Sequence, residues 1–213
     1  MRRGVLATGA LLLAVPAYAG TLETRVTSAD GKPIPFAVVT ATPTGQVSIP
    51  AKSGTKAVMV QEGKQFIPFV LPVQIGTAVA FPNKDPFRHQ VYSFSPAKAF
   101  ELKLYSNDEA STVVFDKEGA VALGCNIHDN MLAYVYVVGT PYFANSDANG
   151  DTKIAVPAGT YTVRVRHPNP KSGSPDLTDV RVTGNDTLSL TAKVELKRAR
   201  TQRRPGAVDD NDY

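Results

Sequence analysis

Short runs rich in β-branched and aromatic residues, each closed off by Gly, Pro, Asn or Asp, leave this chain few options besides β-structure. The runs include Ala37-Val38-Val39-Thr40, Gly76 to Phe81, Thr112 to Phe115 and Met131 to Val138. Between them stand Asp30-Gly31, Pro82-Asn83, Lys117-Glu118-Gly119, Asn149-Gly150 and Pro157-Ala158-Gly159, all turn-forming combinations. Tyr161-Thr162-Val163-Arg164-Val165-Arg166 alternates strictly, as a strand does when one face is buried. No long segment carries a helical period. Strands this short at this spacing predict an all-β chain built of β-sandwiches.

The 213 residues, 43% of them hydrophobic, suffice for one or two real cores. With only 20% charged residues and no low-complexity composition, a wholly disordered chain is excluded. The formal charge of +4 comes entirely from Arg2, Arg3 and the tail from Lys197 to Tyr213. The middle of the chain is therefore neutral, and nucleic-acid binding by a basic face loses its support. The tail, a basic run followed by an acidic one, is expected to be disordered.

Arg2 and Arg3, the apolar stretch Gly4 to Val15 and Ala17-Tyr18-Ala19 have the anatomy of a secretory signal peptide with an A-x-A cleavage site. Residues 1–19 are expected to be removed and the mature chain to start at Gly20 in the periplasm. No apolar stretch reaches the roughly 18 residues that cross a bilayer, so no integral membrane segment is expected after cleavage.

A single cysteine, Cys125, is unusual in an exported chain, where cysteines normally pair. It must be buried, joined to another chain or bound to a metal. Its surroundings favour the metal: Gly124-Cys125-Asn126-Ile127-His128-Asp129-Asn130-Met131 places thiol, imidazole and thioether in one loop. With three His and three Met in 213 residues, chance spacing of this kind is on the order of one in a hundred. Thioether suits neither zinc nor calcium nor magnesium, and copper fits this set best. A mononuclear blue-copper site wants a second histidine, and His89 in Asp85-Pro86-Phe87-Arg88-His89-Gln90-Val91-Tyr92 is the upstream candidate. Metal ligands are thus expected at His89, Cys125, His128 and Met131. His167, between Arg166 and Pro168, is read as a non-ligand. One cysteine excludes a binuclear thiolate-bridged centre, and three histidines exclude a multicopper oxidase.

Over residues 57–138 the sequence resembles the cupredoxins, close to the amicyanin-like methylamine-utilisation proteins. Phe66-Ile67-Pro68 and the run from Val73 to Asp85 are similar to the family's first strands, and His89 follows where the first ligand belongs. The segment Val114 to Gly119 is similar to the strand that runs into the ligand loop, and Cys-x-x-His-x-x-Met is similar to the short amicyanin loop. Gln90 departs from the asparagine that bridges two loops in many members. Asn126, Asp129 and Asn130 make the loop polar, and no proline stiffens it. The resemblance implies a Greek-key β-sandwich holding one type-1 copper ion.

A second resemblance joins two separated segments. Arg25 to Val39, and Asp147 to Gly150 with Val156 to Val163, resemble the two halves of a carboxypeptidase-regulatory-like β-sandwich. Neither closes a sandwich alone. The copper domain, residues 57–140, is accordingly expected to be inserted between about Gly45 and Pro141. Residues 20–56 and 141–196 would then form the second sandwich, and residues 197–213 the tail. The alternative places residues 20–56 on the copper domain as extra strands.

These readings predict a non-enzymatic carrier that passes single electrons between an unidentified redox donor and acceptor. The alternative is a copper carrier or capture protein of the cell envelope using the same ligands, and a structural rival is a metal-free adhesion module. Of the two expected histidine ligands, His128 is expected to be more exposed than His89, because it lies in a loop between strand ends.

Overall fold

The computed structural model describes residues 19–46, 48–106, 111–128, 130–171, 173 and 176–197. Of the expected signal peptide and tail, only Ala19 and Lys197 fall among the described residues. In chain order the first strands are β1 (Ala19–Thr27), β2 (Val38–Pro43), β3 (Lys56–Val58), β4 (Val60–Gln61), β5 (Phe66–Ile67), β6 (Val70–Gln74), β7 (Thr77–Ala80), β8 (His89–Ser95) and β9 (Lys98–Tyr105). They continue as β10 (Thr112–Phe115), β11 (Gly119–Gly124), β12 (Leu132–Val138), β13 (Phe143–Asn145), β14 (Asp151–Pro157), β15 (Gly159–Arg166), β16 (Asp176–Val182) and β17 (Thr187–Lys193). The protein is all-β, as the spacing of turn residues predicts, and the described residues contain no helix long and apolar enough to cross a membrane.

Strands from the two ends of the chain pair with one another. β1 lies between β14, antiparallel, and β17, parallel, while β2 lies between β13 and β15 in the four-stranded sheet β13-β2-β15-β16. Strict alternation decides which side chains face inward: Thr152, Ile154 and Val156 of β14 and Tyr161, Val163 and Val165 of β15 are buried. With Leu22, Val26, Val39 and Ala41 the apolar ones close a core between these two sheets, as period-two side-chain placement requires. The Asn149-Gly150 turn before β14 needs its glycine. Gly150 has φ +78°, and a Cβ there would run into the backbone around Val26 and Ile34.

The intervening strands form their own layers. The five-stranded sheet β6-β12-β11-β8-β9 faces the three-stranded sheet β10-β7-β3. Their shared core contains Met59, Phe81, Val91, Phe115, Leu123 and Val135. Thr112 to Phe115 therefore belongs to the sheet opposite the ligand loop. The strand that runs into Cys125 is β11, which corrects the placement expected for the Val114 to Gly119 segment: Lys117 and Glu118 turn the chain across between sheets.

A third, smaller cluster joins the two groups of sheets. Val38 of β2 packs with Val70 and Val138, flanked by Phe69, Tyr134, Tyr136 and Phe143. Phe36 meets Phe69 edge-on at 5.3 Å, Phe69 meets Tyr134 at 5.6 Å, and Asn145 Nδ2 donates to the Val70 carbonyl at 2.8 Å. Where the chain leaves and returns, Thr140 Oγ1 donates to the Ala41 carbonyl at 2.7 Å and the Ala41 N–H to that of Tyr142 at 2.8 Å.

Candidate metal centre

Alternation along β11 carries Val121, Leu123 and then Cys125 to the inner face, and along β12 it carries Met131, Ala133, Val135 and Val137. Gly124 pairs with Leu132 across the ladder, so the segment from 125 to 131 is the connection at one end of a hairpin. Cys125 and Met131 enter the same core from its two sides, 4% and 2% exposed. Within the connection the Met131 N–H donates to the His128 carbonyl at 3.0 Å. Asp129 lies outside the described residues.

β8, beside β11 in the same sheet, supplies the first histidine. His89 opens the strand with its side chain inward and is 0% exposed, whereas His128 is only partly buried. The exposure order expected from the loop position of His128 therefore holds. His89 Nδ1 lies 3.8 Å from Cys125 Sγ, and His128 Nδ1 lies 3.7 Å from the same sulfur. One donor atom from each of the three falls within 4.8 Å of the others. The imidazole rings are 4.9 Å apart, and Phe87 covers both, 5.1 Å from His89 and 5.5 Å from His128. His167 takes no part. Its Nδ1 accepts the Asn169 N–H at 3.0 Å, and burial holds its pKa below the usual histidine value.

The separations suit one shared ion. With metal–sulfur and metal–nitrogen bonds of about 2.3 and 2.0 Å and an angle near 120°, two such donors sit about 3.7 Å apart. Both sulfur–nitrogen distances agree with that span. One thiol and two imidazoles, with Met131 buried in the same core, form a soft donor set that favours copper.

The residue that fixes His89 was not singled out in the sequence. Asp85 Oδ2 lies 2.7 Å from His89 Nε2, and this carboxylate side chain is itself only 8% exposed. A carboxylate only accepts, so Nε2 carries the hydrogen and Nδ1 keeps its lone pair toward Cys125. Asp85 is held in turn by the Gly63 and Lys64 N–H groups at 2.7 and 3.0 Å, and its own N–H donates to Asn83 Oδ1 at 2.9 Å. Burial would raise the Asp85 pKa, but the Lys64 N–H, the His89 hydrogen bond and the Gly63 N–H outweigh it and hold it below the ordinary carboxylate value. Burial first, then His89 and Lys64, lower that of His128, against a smaller pull from Asp85. The lowered pKa favours the neutral ring, the form that binds a metal.

Behind the cluster, Gln61 Nε2 and the Tyr105 hydroxyl form a buried polar floor, each donating to the Phe81 carbonyl, with 2.5 Å between Nε2 and Oη. Burial chiefly pushes the Tyr105 phenol up to about 12, and the nearby Cys125 acts in the same direction. Gln90 does not bridge to the ligand loop. Its Nε2 donates across the strand to Glu101 Oε1 at 2.5 Å. Surface depressions of about 290 and 410 Å³ lie beside Arg25 and Asp151, and neither is lined by a residue of the cluster.

No protein-family model matches the sequence, and no curated protein matches it. Among solved structures, the chain is similar to the Cu-containing nitrite reductase of Thermus scotoductus at 24% identity, over 46% of this chain and 26% of that one, with a TM-score of 0.39. It is similar to a purple cupredoxin from Nitrosopumilus maritimus at 20% identity, over 39% and 98% of the two chains, TM-score 0.34. To amicyanin from Paracoccus versutus the identity is 19%, the coverage 46% and 97%, and the TM-score 0.37.

The Asp85 contact generates a prediction. Asp85→Asn keeps an acceptor for the His89 N–H but removes the charge that strengthens the imidazole as a donor. It is expected to weaken copper binding by about 10–100-fold in a chelator-competition titration, with an unchanged far-UV spectrum. Wild-type affinity in this variant would remove Asp85 from the centre.

Proposed function

We propose that this protein is an exported type-1 copper protein of the cupredoxin family that carries single electrons between redox partners in the periplasm. The observation that supports it is the meeting of Cys125 Sγ with His89 Nδ1 and His128 Nδ1 in a mostly buried pocket. In this reading His89, Cys125, His128 and Met131 would hold the ion, the thiolate and two imidazoles as its main donors and the thioether as a weak one. When bound, copper supplies a one-electron couple coloured by thiolate charge transfer.

The chain's own residues do the rest. Asp85 keeps His89 in one tautomer and orientation, so the centre needs little rearrangement when its charge changes. The apolar core around Cys125 and Met131 excludes water from the inner side. His128, partly exposed and beside Phe87 and Ile127, offers the shortest route from the pocket to a docked donor or acceptor. Ile127 is 50% exposed and Phe87 37%, an apolar rim fitted to transient contact with another protein. No catalysis is assigned to the chain.

We further propose that residues 57–140 are a domain inserted into a second sandwich made of residues 20–56 and 141–196. The pairing of β1 with β14 and β17, and of β2 with β13 and β15, supports this, as does the closeness of Ala41 to Thr140. Replacing residues 45–139 with a short Gly-Ser turn is expected to leave a folded, copper-free β-protein with a cooperative thermal transition. A chain that fails to fold would favour residues 20–56 as part of the copper domain.

Purified with copper, the full protein should show an intense visible thiolate band and a narrow copper hyperfine pattern. Cys125→Ser should abolish the band, and His167→Ala should leave it unchanged. A Cys125→Ser protein that stays blue contradicts the assignment. Rapid loss of Cu(I) to a mild chelator would favour copper carriage over electron transfer.

A further inference from the structure

The turn before β2 holds an aromatic residue in a conformation that aromatic residues avoid. Pro35 and Phe36 are its two central residues, and Phe36 has φ +64°. Left-handed backbone at the second central position is the place of glycine or asparagine, and a bulky side chain there is strained. Such a residue persists only where its surroundings over-determine it. Here Ser146, itself buried, takes the place of the bond that would close the turn. Its Oγ donates to the Ile34 carbonyl at 2.7 Å and accepts the Ala37 N–H at 2.9 Å. Its backbone adds two more bonds, its carbonyl accepting the Phe36 N–H at 3.0 Å and its N–H donating to the Ala37 carbonyl at 2.8 Å. The Pro35 carbonyl is in turn a hydrogen-bond partner of the His167 ring.

The ring so placed does nothing for its own sandwich. That core takes Ile34 and Ala37, on either side of the turn, and leaves Phe36 out, 41% exposed. The Phe36 ring instead reaches Phe69 in the metal-binding segment, its plane at 81° to that ring, and Phe69 meets Tyr134 of β12 in the same way. We infer that Phe36 is a strained strut that locks the second sandwich to the metal-binding one. Ser146 holds the turn in its left-handed form so that the ring crosses the junction, and the contact made there offsets the backbone strain. The inference rests on the two-sandwich reading above and adds the residue that fixes one sandwich against the other. Two linkers that leave side by side, as the closeness of Ala41 and Thr140 shows, permit a hinge between the sandwiches. Val38, Val70 and Val138 fill the seam, but aliphatic packing is non-directional. The Asn145–Val70 hydrogen bond is a single neutral one, a weak restraint by itself. Edge-on aromatic contacts are directional, and they remove the hinge. Phe36 is a positioning residue and touches none of the metal ligands.

Nitrogen-15 relaxation of the full chain, with and without Cu(I), tests the lock by reporting how each sandwich tumbles. The wild-type chain is expected to tumble as one body with a single correlation time. Phe36→Gly, and independently Phe69→Ala, are expected to give two shorter times, one for each sandwich. Thermal unfolding tests the strain. With the partner ring removed by Phe69→Ala, glycine at position 36 is expected to melt about 2–4 °C above alanine, because only glycine accepts the left-handed backbone without cost. A Phe36→Gly chain that still tumbles as one body would overturn the lock, as would a wild-type chain that already tumbles as two. Alanine at position 36 as stable as glycine would overturn the strained strut. Residues 20–44 tumbling with 57–140 and apart from 141–196 in the loosened variants would fail the two-sandwich reading instead.

Discussion

A fully buried imidazole must satisfy both of its nitrogens, and the whole metal-side architecture follows from how His89 does so. Leaving one buried polar group without a partner costs about 1–3 kcal/mol, a large fraction of the marginal stability of a domain. His89 gives its Nε2 hydrogen to Asp85 and turns Nδ1 toward Cys125. Asp85 can serve only because the turn between β4 and β5 aims the Gly63 and Lys64 N–H groups at it and Asn83 pins the backbone beside it. Three separate segments are thus committed to one ring. Cys125 and Met131 then need only the ordinary alternation of β11 and β12 to meet it.

The two histidines divide the work through their different burial. His89 is held from behind by a carboxylate and cannot move without breaking buried hydrogen bonds. His128 sits in a short connection beside Phe87, and among the described residues no carboxylate is bonded to its ring. A rigid side and an accessible side are what a centre needs if it must exchange electrons quickly and keep its metal. The second group of sheets contributes at a distance. It covers the outer face of β6 and β12 through Val38, Tyr134 and Tyr136, and leaves bare the part of that sheet where Tyr92 and Phe94 lie.

Much of this was legible in the sequence because it is written in local pattern. β-branched runs and turn residues locate β7, β10, β12 and β15 to within a residue or two, and the start of β2, since a period of two and a Gly or Asn turn leave few alternatives. Cys125, His128 and Met131 announce themselves by donor type and spacing, and His89 by the chemistry that completes them. What depends on register between distant strands stayed hidden. Parallel pairing of β1 with β17 joins residues more than 160 apart and has no local signature. The crossing of the chain between β10 and β11 reassigned the strand before the ligand loop. Gln90 finds Glu101 because the bulged β8–β9 ladder sets them together. Asp85 stands four residues before His89, close enough to have been suspected, but only the fold of the 63–64 turn shows that its carboxylate points inward. Gly124 reads as a strand-ending glycine, and its reason, the ring of Tyr92, lies on another strand.

The central claim is that one metal ion binds at a single thiolate and two imidazoles. X-ray absorption at the copper edge of the loaded full-length protein tests it directly. The account predicts one ion per chain, with a first shell of one short sulfur and two imidazole nitrogens, and loss of the sulfur contribution in Cys125→Ser. A shell of nitrogen and oxygen alone, or a second metal atom close to the first, would contradict it.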